Sequence, residues 1–291
     1  MLSKQQQGML LGLIAITAFA LTLPMTSLAL NGMQPIFIGI GRALVAAVCA
    51  AGLLILFRAR LPAPSVWPQL VIVMLGVVIG FPVLSAIAMQ TVPASHGGVV
   101  LAILPILTSA MAALIGLERP GKMFWLVSLL GAALVLVFSL RQGAGQLSSG
   151  DTWLFLAVLC AAAGYVAGAQ ASHSMPAWQV ICWALVLSLP LTIVPFIVYL
   201  PTDIALIEAR AWLGFLYLSL ISQLLGFFAW YRGLALGSIS KVSQLQLLQP
   251  FITIFASALV LGEVISADIW LFVVPVVTCV WLAKHAQSQS I

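Results

Sequence analysis

The sequence predicts an all-α integral membrane protein of ten transmembrane helices, arranged as two inverted five-helix repeats. Three observations carry that expectation: an extreme apolar composition, apolar runs of membrane-spanning length, and a duplication that lays the second half of the chain on the first. Of 291 residues, 63% are hydrophobic and 6% are charged, whereas soluble domains carry about 25% charged residues. No water-soluble core of this size hides so many apolar side chains, so lipid is the solvent.

The apolar runs fall at residues 8–30, 35–57, 67–89, 94–116, 122–140, 151–172, 178–199, 211–234, 239–261 and 268–285. Each approaches the length of about 20 residues that crosses the hydrocarbon. The breaks are short and rich in Gly, Pro, Ser or charge; the slightest is Thr91–Ala94, which holds Pro93. Helices of this kind satisfy their own backbone hydrogen bonds, and the loops leave no room for a soluble domain. The first run follows Lys4 as a secretory signal would, but signal cores are about 7–15 residues long, so it reads as a retained helix.

With the N-terminus inside, Lys4, Arg58, Arg60, Arg119, Lys122, Arg232, Lys241 and Lys284 are cytoplasmic, and only Arg141 and Arg210 lie outside. That asymmetry puts both termini in the cytoplasm of a multi-pass protein of the cell inner membrane. The net charge of +5 therefore sets orientation and implies no nucleic-acid partner. Cys49, Cys160, Cys182 and Cys279 sit inside apolar runs without paired or ligand spacing, and are read as free core cysteines. Neither a metal nor a cofactor is expected.

A shift of 145 residues places Ser95 on Ser240, His96 on Lys241, Pro105 on Pro250, Thr108 on Thr253, Glu118 on Glu263 and Trp125 on Trp270. Apolar helices match one another by chance, but scarce Pro, Glu and Trp residues coinciding without a gap do not. The halves are residues 1–145 and 146–291. An odd number of helices per half makes the second enter the membrane from the opposite side, so the repeats are inverted and alternating access follows.

The run Leu-Ala-Leu-Gly-Ser-Ile-Ser (234–240), then Leu-Leu-Gln-Pro (247–250) and Leu-Gly-Glu (261–263), resembles the C-terminal signature of the EamA-type family of the drug/metabolite transporter superfamily. Pro105 and Gly-Leu-Glu (116–118) echo it in the first half, and Arg42 stands where that family often has an arginine. The resemblance spans essentially the whole chain. It implies a carrier for small organic metabolites, often an exporter of amino acids or related amines. Helices 1, 3, 4, 6, 8 and 9 would line its central cavity. Two positions depart from the pattern: Gln249 replaces a common carboxylate, and Ala18-Phe19-Ala20 replaces a Trp-Gly pair.

Polar side chains at membrane depth tend to face a bundle interior or a cavity. Gln246 and Gln249 are three apart and share a helix face, so they either meet one ligand or bond between helices. Gln223, Phe227 and Trp230 share another face, where an amide beside aromatic rings suits a zwitterion or cation; ordinary packing is the alternative. Phe19, Thr22 and Tyr165 are further substrate-binding candidates. Arg42 either binds a substrate carboxylate or snorkels to the interface.

Pro24, Pro82, Pro105, Pro190, Pro195, Pro250 and Pro275 fall within helices and kink them. Pro105 and Pro250 either mark a site or hinge or are simple tolerated kinks, and His96 and Lys241 either gate opposite faces or anchor at the interface. Glu118 and Glu263 are expected to favour the positive ends of the helices that follow them. No nucleophile pair, carboxylate pair or metal set suggests catalysis, and without a mid-helix carboxylate the expected energetics are facilitated diffusion or exchange. Importer, quaternary-amine exchanger and accessory membrane protein remain the alternatives to export. The expected partners are a small metabolite and the lipid bilayer, with the protein a monomer or a homodimer.

Overall fold

The computed structural model describes residues 2–92, 94, 97, 100–141, 149–262, 264–265, 269–285 and 288–290. In chain order its apolar helices are α1 (Lys4–Leu30), α2 (Pro35–Leu56), α3 (Pro64–Ala88), α4 (Leu101–Leu114), α5 (Lys122–Phe138), α6 (Ser149–Ala171), α7 (Ala177–Val198), α8 (Ala209–Leu236), α9 (Ile239–Leu261) and α10 (Ile269–Ala283). Seven of them are long and apolar enough to cross a membrane; the described apolar stretches of α4, α5 and α10 are shorter. Strands β1 (Glu118–Pro120) and β2 (Ser288–Ser290) pair antiparallel. The expected start of the fourth helix, with Pro93, Ser95 and His96, lies partly outside the described residues, as do Glu263 and Asp268.

Helix α1 begins at Lys4 rather than residue 8 because polar residues cap it. The Ser3 Oγ accepts the Gln6 N–H at 3.2 Å while the Gln6 Oε1 accepts the Ser3 N–H at 2.8 Å, a capping box that satisfies two backbone donors. The outer surface is apolar, with Leu114 84% and Leu259 88% exposed; a hydrocarbon environment accounts for it. Cys49 belongs to that exposed surface rather than to the core, although all four cysteines are free.

Helix α1 packs on α8 and α3 on α6, while α2 packs on α7, α4 on α9 and α5 on α10. Exchanging the halves carries each of these pairs onto itself or onto its counterpart. Small residues bring the first two pairs close. A Cβ on Gly8 would stand 2.6 Å from the Gly237 nitrogen, and one on Gly76 would overlap the Cys160 carbonyl oxygen.

The prolines act differently from one another. Pro190, Pro195 and Pro275 sit inside continuous helices, whereas elsewhere the helical geometry is reset just ahead of the ring. Helix α1 breaks at Leu21 and restarts at Thr22, ahead of Pro24. In α3 a π-helical stretch, Met74–Gly80, gives way to α-helix at Phe81, ahead of Pro82. In α4 and α9 the 3-10 stretches Leu101–Ile103 and Gln244–Leu248 end immediately before Leu104–Pro105 and Gln249–Pro250. Proline has no N–H and clashes with the carbonyl four residues back, but a first helical turn accepts it.

The resets in α3 and α4 recur in α8 and α9 at the 145-residue shift, whereas the break in α1 has no counterpart in α6. The Phe81 N–H bonds the Gly76 carbonyl and the Gly226 N–H bonds the Ile221 carbonyl, equivalent π-type bonds in equivalent helices. Helices α4 and α9 are both followed by a left-handed glycine, Gly116 and Gly262, each at φ 74°.

Candidate functional site

The helix breaks expose backbone carbonyls, and side chains from the second half answer them. Pro24 cannot donate to the Ala20 carbonyl, which instead accepts the Thr253 Oγ1–H at 2.9 Å. In α3 the π-type register would have residue 82 bond the Val77 carbonyl. Because that residue is Pro82, the Gln223 Nε2–H takes the place at 3.0 Å. The Tyr217 hydroxyl likewise donates to the Ala18 carbonyl at 2.9 Å, beside the break in α1. An orphan carbonyl away from water costs about 1–3 kcal/mol, so these bonds both fix α1 and α3 against α8 and α9 and stabilise the breaks.

Between those breaks lies a small cavity of about 20 Å³. Phe19, Thr22, Arg42, Val77, Phe81, Leu101, Leu104, Tyr165, Ser222, Gln223, Phe227 and Gln249 line it. The helices expected to surround a cavity do so, α1, α3, α4, α6, α8 and α9, and α2 adds Arg42. Room for about one water is far below the roughly 300 Å³ of small-molecule pockets, so this conformation leaves no space there for a bound metabolite.

Arg42 sets the electrostatics. It is 2% exposed, so the snorkelling alternative is overturned: α2 packs against α7, α3 and α8 along this face, and the side chain turns inward rather than along the helix to water. Its Nη2–H donates to the Ser222 Oγ at 3.0 Å, and that hydroxyl is 2.8 Å from the Thr22 Oγ1. The Arg42 Nε has no hydrogen-bond partner, and among the described residues that line the cavity with it there is no carboxylate. Arginine keeps its charge in proteins. A guanidinium bonded to one hydroxyl, which is itself 2.8 Å from a second, and with its Nε donor to spare, is arranged to take an anionic oxygen.

Rings form a further part of the wall. Phe19 lies 5.0 Å from Phe227 and 6.5 Å from Tyr165, centroid to centroid. Trp230 does not reach the cavity; it backs the wall, 5.1 Å from Tyr165 and 6.1 Å from Phe19. Gln223 and Gln249 add amides, and the Gln223 Oε1 is unpaired.

Seven of the sequence candidates, Phe19, Thr22, Arg42, Tyr165, Gln223, Phe227 and Gln249, are thus brought together. Gln246 is buried nearby without lining the cavity. Pro105 and Pro250 sit at the starts of α-helical segments flanking it. Lys241 lies in the first turn of α9, its N–H on the Ser238 Oγ at 3.4 Å. His96 falls outside the described residues.

Sequence reasoning missed Ser222, because helical periodicity puts Gln223, Phe227 and Trp230 on one face and leaves Ser222 off it. The π-helical stretch Tyr217–Leu225 shifts that phase. Such stretches occur frequently at functional sites.

Glu118 also departs from expectation. It does not serve the helix that follows it. Its Oε1 accepts the Ile239 N–H at 2.6 Å and its Oε2 accepts the Ser240 N–H at 2.9 Å and the Ser238 hydroxyl at 3.0 Å. The carboxylate therefore caps α9, in the other half, because α4 and the strand after it lie against the start of α9.

This architecture is that of a known class. The chain belongs to the EamA-like transporter family, which matches it twice, over residues 6–140 and 148–283. It is 40% identical to the "Uncharacterized transporter YdeK" of Bacillus subtilis (strain 168) over 284 residues, 98% of this chain and 99% of that one. A protein of known crystal structure, 18% identical, shares the fold with a TM-score of 0.75 over 95% of this chain and 96% of its own. The chain is accordingly a multi-pass membrane protein of a transporter family.

Proposed function

We propose that this protein is a secondary carrier for a small zwitterionic metabolite, an amino acid or a close relative, and that it works by alternating access. Its ten helices cross a cell inner membrane as two inverted halves, residues 1–145 and 146–291, with both termini cytoplasmic. The helix pairing and the recurrent π-type bonds support the inverted halves; the basic-residue asymmetry supports the orientation.

The observation that carries the cargo assignment is Arg42, buried beside the cavity with an unpaired Nε and no carboxylate partner among the described residues. A cargo carboxylate would complete it, while Phe19, Tyr165 and Phe227 offer aromatic faces to an ammonium group. A quaternary amine lacking a carboxylate would meet the Arg42 charge unscreened, so the rings alone do not favour it. The family resemblance favours export. None of the described cavity-lining side chains is a carboxylate or a histidine, which supports exchange or facilitated diffusion over ion coupling.

Counterflow in proteoliposomes tests this. An amino acid inside should drive entry of its labelled counterpart with no proton or sodium gradient. Absence of flux across a full amino-acid panel would defeat the carrier reading. Concentrative uptake that stops when an ion gradient is collapsed would defeat the exchange mechanism.

A further inference from the structure

One edge of α9 is polar from the cavity to the end of the helix. The 3-10 stretch Gln244–Leu248 brings residues three apart into line, so Ser243, Gln246 and Gln249 follow one another along the axis. Gln249 lines the cavity. The Ser243 Oγ stands 3.3 Å from the Ser109 Oγ of α4. One turn further, the Ser240 N–H is held by Glu118. Val242 and Leu245 instead face Gly12 of α1, and Leu247 faces Gly131 of α5, while the Ser243–Ser109 contact sets the polar edge against α4.

Gln246 is 1% exposed, and neither atom of its amide has a hydrogen-bond partner; the Ser240 Oγ has none either. A leucine would fill that space without the desolvation cost, so packing does not explain an amide there. Such atoms gain partners when water or a polar molecule enters the seam. The three bonds to Glu118 close the seam's far end, joining a carboxylate of the first half to donors of the second.

We propose that the seam between α4 and α9 is the closed half of the cargo route, with Gln246 as a transient binding station for the polar metabolite and Glu118 as the latch. The route runs roughly 15 Å along α9, from Gln249 to the membrane face that carries Glu118. The inference rests on the cavity being the cargo site, but its test needs no cargo.

Gln246→Cys is introduced into protein whose Cys49, Cys160, Cys182 and Cys279 are replaced, and modification by a charged, membrane-impermeant thiol reagent is timed in proteoliposomes from each face. Glu118→Gln should speed modification about tenfold, as loss of a charge-assisted hydrogen bond would, and only from the Glu118 face. Ala184→Cys, buried in α7, should be unaffected. An unchanged rate overturns the latch, and so does equal acceleration at Ala184→Cys, which means general loosening. Modification only from the opposite face overturns the route. Should Glu118→Gln fail to fold, Glu118→Asp, whose shorter arm reaches fewer of the donors, gives the same comparison. If the labelling fails while Arg42 variants still lose cargo, the route falls and the cavity assignment stands; the reverse result separates them the other way.

Discussion

Thr108 and Thr253 occupy equivalent places in the two halves, yet they do different things. Thr253 reaches across to the Ala20 carbonyl of α1, whereas Thr108 bonds the Leu104 carbonyl of its own helix at 2.8 Å. The cause lies in the helix each would answer. Pro24 denies Ala20 a donor, but its counterpart in α6 is Ala169, which keeps its N–H within an uninterrupted helix. The same asymmetry recurs between α3 and α8. Pro82 corresponds to Phe227, Val77 to Ser222 and Val78 to Gln223, although the backbones share the π-type bond. Arg42 corresponds to Leu187. The two halves share the helix pairing and the π-type bond and divide the chemistry at these places: the first supplies Pro24, Pro82, their orphan carbonyls and the cation, the second supplies the donors that answer them.

That division can be broken at its joints. Gln223→Leu should cost about 1–3 kcal/mol, because the Val77 carbonyl is left without a donor. Adding Pro82→Ala should return most of the loss, since an alanine at that position brings a backbone N–H to the same oxygen. Reversible unfolding in mixed micelles measures both, and a double variant no more stable than Gln223→Leu would refute the proline account. The smaller pair is Thr253→Val against Thr108→Val. The first should cost about 1 kcal/mol and be relieved by Pro24→Ala; the second should stay within about 0.5 kcal/mol. Equal effects at the two threonines would mean that the halves do not differ as described.

Much of this was visible in the chain. Composition and run length located the apolar helices, and Pro105 with Pro250 located the duplication. Polar and aromatic residues at depth picked out most of the cavity wall, because lipid makes each of them costly anywhere else.

The remainder depended on geometry that residue types do not encode locally. Ser222 was hidden by a π-helical phase shift, and Gln246 shares an edge of α9 with Gln249 but lies a turn beyond the cavity wall. Whether Arg42 turned inward or outward depended on neighbours from α8, distant in sequence. Glu118 found α9 because the ends of α4 and α9 adjoin, a juxtaposition that capping rules along one chain segment do not reveal.

The central claim is that Arg42 makes the cavity a carboxylate site. The direct measurement is ligand-induced stabilisation of the purified protein across matched sets of amino acids, their methyl esters and their decarboxylated amines, with the parent and Arg42→Met side by side. At least one amino acid should raise the unfolding midpoint of the parent. Its ester and its amine should not, and in Arg42→Met the affinity should fall at least about thirtyfold, the loss of roughly 2 kcal/mol expected when one partner of a buried charge pair is removed. Esters or amines that stabilise as well as the acid, or an Arg42→Met protein that responds like the parent, would contradict it.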